Sequence, residues 1–131
     1  MLYMLDYTII SNNPLVNEKY RDKTTYLETG AEGVLVAVRD MVHLGAKILN
    51  HPLSGGLLPG ASPYKSLVVS DATGAGAEGL SSPCVDYESL YLIEHAIRVL
   101  QRPPEGFAGF SGQVLLDFQV LDLDLLESAL A

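Results

Sequence analysis

At 131 residues, with 48% hydrophobic content and a mean hydropathy of +0.22, the chain has the length of one domain, can bury a sizeable core and is too apolar for disorder. Lys plus Arg number 8 and Asp plus Glu 16, a net charge of −8 with a pI near 4.6, which weighs against a nucleic-acid binder and against docking on an anionic membrane surface. Cys84 is the only cysteine, so neither an intrachain disulfide nor a cysteine-based zinc site can be built.

The opening MLYMLDYTII is apolar but has no basic leader, and Asp6 interrupts it. It reads as the approach to a strand rather than as a signal peptide. No apolar run approaches the roughly 20 residues of a membrane helix, and the expected location is the cytoplasm. Leu5 to Ser11 is β-branched and aromatic, the pattern of a strand covered on both faces. Asn13 is placed to cap a helix that starts at Pro14, where a missing N–H costs nothing, and that runs to Arg21 with Val16 and Tyr20 on one face. Thr24 to Glu28 is a short second strand. Gly30 to Leu44 is the clearest helix, with Val34, Val38, Met41 and Val42 at helical spacing, and Gly45 sits where a left-handed cap belongs.

Ala46 to Asn50 is predicted as strand three and Ser66 to Ser70 as strand four. Between them runs His51 to Ser66, HPLSGGLLPGASPYKS, a long irregular connection of the kind that is usually functional or disordered. Asp71 to Cys84 is rich in Gly, Ala and Ser and reads as a flexible link. Helix three is predicted from Asp86 to Gln101, with Leu90, Ile93, Ile97 and Leu100 as its buried stripe and Pro103-Pro104 as its stop. Glu105 to Gly112 is a second Gly-rich link. The tail has two readings. One splits it into a short helix (Val114 to Phe118), a fifth strand (Gln119 to Asp122) and a last helix capped by Asp122 or Asp124. The other is one continuous helix from Ser111. The split is preferred, because Phe118, Val120 and Leu121 change the apolar period.

The order of elements predicts a single α/β domain over 1–131: a Rossmann-like, three-layer α/β/α sandwich on a mostly parallel or mixed sheet of about five strands. The long connection carries no helix, so strand four is free to run antiparallel to strand three. In that case His51 and Lys65 share one sheet edge; a parallel return separates them.

Ligands of open α/β sheets gather beyond the carboxyl ends of strands. Asn12 and Asn13 leave strand one there, and their amides suit a carboxylate or an amide. Asn13 alone is better accounted for as a helix cap, whereas Asn12 is less easily explained that way. His51 leaves strand three there, followed by Ser54, Gly55 and Gly56, whose backbone allows close approach by an anion. Neither a P-loop nor a dinucleotide fingerprint is present, and no cofactor is expected. Tyr64, Lys65 and Ser66 add a cation and two hydroxyls before strand four. His51 also has the chemistry of an acid or base, although a lone histidine is more often structural. No histidine pair has metal-ligand spacing, so no metal is expected.

Asn12-Asn13-Pro14-Leu15-Val16 with Glu18-Lys19-Tyr20, then Val38-Arg39-Asp40 with His43 and Gly45, then His51-Pro52-Leu53-Ser54-Gly55 and Pro63-Tyr64-Lys65-Ser66 resemble the GrdX family. Asp117-Phe118-Gln119 and Asp122-Leu123-Asp124 are similar as well, so the matching motifs span nearly the whole chain in order. The resemblance implies a protein encoded with the selenium-dependent glycine, sarcosine or betaine reductase system of amino-acid-fermenting anaerobes, outside its known catalytic components. It implies a pathway context and carries over no catalytic residue.

Three expectations follow. The first is an accessory protein that binds a small anionic metabolite, a carboxylate or a phosphate, through Asn12, Asn13, His51, the 54–56 backbone and Tyr64 to Ser66. The second is an assembly factor that touches reductase components through the acidic, leucine-rich tail. The third is an enzyme that moves protons with His51 and Lys65 or Tyr64. If the protein is oligomeric, a two-fold homodimer is the base expectation.

Overall fold

The structure, a computed structural model, describes residues 6–53, 62–70, 85–100 and 109–131. Leu5, the 54–61 part of the long connection with Ser54, Gly55 and Gly56, the 71–84 link with Cys84, and 101–108 with Pro103-Pro104 lie outside the described residues.

In chain order the elements are β1 (Tyr7–Ser11), α1 (Pro14–Lys19), a 3-10 turn (Arg21–Lys23), β2 (Thr24–Tyr26), α2 (Ala31–His43), β3 (Ser66–Ser70), α3 (Tyr87–Val99) and α4 (Gly112–Leu130). Local chemistry sets most of their ends. The Asn13 side chain accepts from Leu15 N at 3.0 Å and Pro14 opens α1. Gly45 has φ 107°, and Ala46 N donates back to Met41 O at 3.0 Å, so α2 closes on a left-handed glycine. Asp86 caps α3 by accepting from Ser89 N at 3.0 Å.

The sheet has the order β2-β1-β3, with β2 parallel and β3 antiparallel to β1. It is a mixed sheet of three strands among the described residues, where about five, mostly parallel, were expected. Two segments account for the difference. The predicted third strand does lie beside β3: Leu49 N donates to Val68 O and Ser70 N to Lys47 O, each at 2.8 Å. Its ladder shrinks to one antiparallel bridge, Ile48 to Val69, because side chains take the flanking positions. Asn50 Oδ1 accepts from Val68 N at 2.8 Å, and Ser70 Oγ accepts from Lys47 N at 2.9 Å.

The second is the tail. It forms one continuous helix, not the preferred helix–strand–helix. Two of the three residues that disturb its period are surface residues: Val120 is 46% and Leu121 50% exposed. An apolar side chain on the solvent side of a helix breaks the period without breaking the backbone.

Alternate strand residues face opposite layers, as the pleat requires. Ile10, Leu67 and Val69 pack with Val34, Leu35, Val38 and Val42 of α2 and Ile93, Ala96 and Ile97 of α3. Ile9 and Val68 pack with Val16 of α1 and Leu126 of α4. The helices thus pair off, α2 with α3 on one face and α1 with α4 on the other. No helix among the described residues is long and apolar enough to cross a membrane.

Candidate functional site

Because β3 is antiparallel to β1 and to the 47–50 segment, one edge collects the carboxyl ends of β1 and β2 and the start of β3. Asn50 Nδ2 donates to Ser66 O at 3.2 Å, so His51 and Lys65 leave the sheet on this same edge. Asn12, Asn13, His51, Tyr64, Lys65 and Ser66 are therefore gathered there, so the antiparallel alternative for the strand that Ser66 opens is the one realised. Ser54, Gly55 and Gly56 lie outside the described residues.

Four of these side chains are committed to the protein itself. Asn12 is 3% exposed. Its Nδ2 donates to Thr29 O at 2.8 Å and to Pro63 O at 2.9 Å, while its Oδ1 accepts from Lys65 N at 2.9 Å. It is the clasp between the exits of β1 and β2 and the entry to β3. Asn13 is fully buried. Besides capping α1, its Nδ2 donates to Gln119 O at 2.9 Å and to Asp122 Oδ2 at 3.0 Å. Ser66 Oγ also donates to Asp122 Oδ2, at 2.6 Å, and shares a 2.7 Å hydrogen bond with Ser11 Oγ. Gln119 Nε2 donates to Tyr64 OH at 2.8 Å, and Tyr64 is buried.

Asp122 and Gln119 are the site residues that the sequence reading missed. Asp122 was assigned to a cap or to an acidic surface. The signal lay in the spacing Gln119, Asp122, Leu126, which puts all three on one face of a helix once the tail is continuous. A further pair of contacts holds the same helix to α1: Lys19 Nζ bonds Glu127 Oε2, and Tyr20 OH donates to the same oxygen at 3.1 Å. The Lys19 hydrogen bond holds the Glu127 carboxyl below its ordinary range.

The edge thus holds a carboxylate oxygen between an amide and a hydroxyl. Burial pushes the Asp122 carboxyl up from its ordinary value, against the donors Ser66 and Asn13 and the charge of Lys65. Burial likewise pushes the Lys65 ammonium down, against the pull of Asp122. Lys65 makes no ion pair among the described residues. His51 is exposed, and its Nδ1 accepts from Leu53 N at 3.1 Å, which leaves Nε2 to carry the proton of the neutral ring. Among the described residues no three His, Cys, Asp or Glu side chains group closely enough to hold a metal ion.

A carboxyl whose pKa is raised in the folded state favours folding most when it is protonated. Stability from Asp122 is therefore fully present below its unfolded value of 3.8 and falls as pH rises toward its folded value. Asp122→Asn keeps an oxygen for both donors and carries no charge. It is expected to melt at or above the wild-type temperature at neutral pH, with the difference shrinking as pH falls toward the carboxylate range. Thermal melts across that range check this; a variant that melts below wild type at neutral pH would sink it.

Against models of known families, the chain matches the one described as GrdX-like protein, over residues 8–131. No curated protein and no solved structure matches it.

Proposed function

The chain belongs to the GrdX-like protein family, and on that premise we propose that it is an accessory protein of the glycine and betaine reductase pathway that holds a small carboxylate- or phosphate-bearing metabolite at this sheet edge. The observation that carries the reading is Lys65. Its side chain is half-buried on the edge that the Asn12 clasp holds, and it makes no ion pair among the described residues, the Asp122 carboxyl attracting it only from beyond pairing distance. An anion placed there offsets the cost of burying the charge. His51 Nε2–H, on the same edge, is a second donor. Ser54, Gly55 and Gly56 follow His51 in the sequence and belong to the proposed site. Asn12 and Asn13, whose amides are spent on Thr29, Pro63, Lys65, Gln119 and Asp122, shape the edge and leave ligand contact to Lys65, His51 and the loop.

The test is a thermal-shift titration with glycine, sarcosine, betaine, acetyl phosphate, inorganic phosphate and nucleotides. A ligand at a hundred times its Kd stabilises the fold by about 2.7 kcal/mol. The expected result is a shift with at least one anionic compound that Lys65→Met removes while keeping the unliganded melting temperature. No shift with any of them at millimolar concentration, or an equal shift in Lys65→Met, overturns the reading.

A second reading is docking to a reductase component through α4. It is favoured by Val114, Leu116, Val120 and Leu121, which are 38–50% exposed on one helix. Cutting the chain after Phe118 is not a clean test of it, because the cut removes Asp122 and Leu126 and with them the seat of the helix. Charged substitutions at Leu116 and Leu121 leave that seat intact.

A further inference from the structure

The outward face of α3 plays no part in the edge site. Tyr87 is 80% and Tyr91 66% exposed on it. Tyrosines left bare in this way are more typical of an interface than of free surface. Tyr91 stacks on His95, with ring centroids 6.1 Å apart and 4° between the planes. By helical spacing Tyr87, Tyr91, His95 and Arg98 share one stripe, opposite the buried Ile93, Ala96 and Ile97. Exposed Glu88 and Arg98 stand at opposite ends of this face, about 15 Å apart along the axis. Neither makes an ion pair among the described residues, whereas Glu94 lies 3.8 Å from Arg39 of α2.

We propose that this face is the contact surface for a second copy of the chain, packed antiparallel about a two-fold axis at the level of Ile93. The pattern is self-complementary about that level. Glu88 meets Arg98 of the partner subunit, and Tyr91 meets the partner's His95. Each pairing occurs twice, as an isologous interface requires. A parallel arrangement instead sets Glu88 beside Glu88 of the partner subunit. The other exposed apolar helix, α4, carries exposed Asp117 and Asp124 and no basic residue. Self-pairing there brings like charges together, so the second copy is assigned to α3.

Sedimentation equilibrium of the full chain over a concentration series is the test. The expected result is a reversible dimer. Arg98→Glu weakens it by roughly tenfold or more, because two like-charge contacts replace two ion pairs. The double variant Glu88→Arg with Arg98→Glu restores wild-type affinity, because the exchange regenerates both pairs. The Glu88 and Arg98 side chains make no ion pair or hydrogen bond within the described residues, so the variants are expected to keep the fold, and circular dichroism verifies this. A monomer at every concentration overturns the proposal. So does a dimer that Arg98→Glu leaves unchanged, a weakened dimer that the double variant fails to rescue, or one broken by Leu121→Glu alone.

Discussion

Asn12→Ala is expected to lower the free energy of unfolding by about 3 kcal/mol, at roughly 1 kcal/mol for each of three hydrogen bonds lost in a buried setting. The loss is not confined to one strand. Thr29 O, Pro63 O and Lys65 N all lose their side-chain partner, and these groups belong to two separate segments, the exit of β2 and the entry to β3. Asn12→Asp is expected to be at least as harmful, since two carbonyl oxygens then face a carboxylate with no donor. Urea unfolding with an unchanged slope measures both effects. A cost under about 1 kcal/mol for alanine would mean that water replaces the amide, and that the clasp is not structural.

Leu126→Ala is expected to cost about 3 kcal/mol, within the 2–5 kcal/mol range of large-to-small changes in a core. Leu126 is 1% exposed and is the one buried side chain among the described residues of α4. It fills the space against Ile9, Val16 and Val68, and Leu123 and Leu130 only border that cluster. Truncating it loosens α4 before the rest of the fold. Amide exchange should therefore accelerate along Gly112–Leu130 more than along Tyr7–Ser11. Leu121→Ala, on the same helix but 50% exposed, serves as the comparison and is expected to change stability by about half a kcal/mol at most. Equal costs at the two positions would show that α4 does not seat through Leu126.

The elements that were legible in the sequence carry local signals. Asn13-Pro14 announces α1, Gly45 closes α2, and the stripe Ile93, Ile97, Leu100 marks α3. Each depends on residues within a few positions of one another. The gathering of Asn12, His51, Lys65 and Ser66 at one edge was legible only as one of two alternatives. The direction of β3 decides it, and strand direction leaves no local mark. Strand three was over-read because Asn50 and Ser70 substitute side-chain groups for backbone rungs, which propensity does not register. Asp122 was misplaced because Val120 and Leu121 are apolar on the solvent side of α4. They mimic a change of period and hide the face that Gln119, Asp122 and Leu126 share.

The bond from Asn13 to Asp122 spans 109 residues. A six-residue helix such as α1 is far too short to persist alone, since isolated helices below about 12 residues are marginal in water. Its cap amide is finished only when α4 arrives from the other end of the sequence. Contacts of that span have to meet the entropy of closing a long loop before they return any energy. The edge that carries the proposed site is accordingly expected to form late in folding. Its geometry reports that both ends of the described chain have come together.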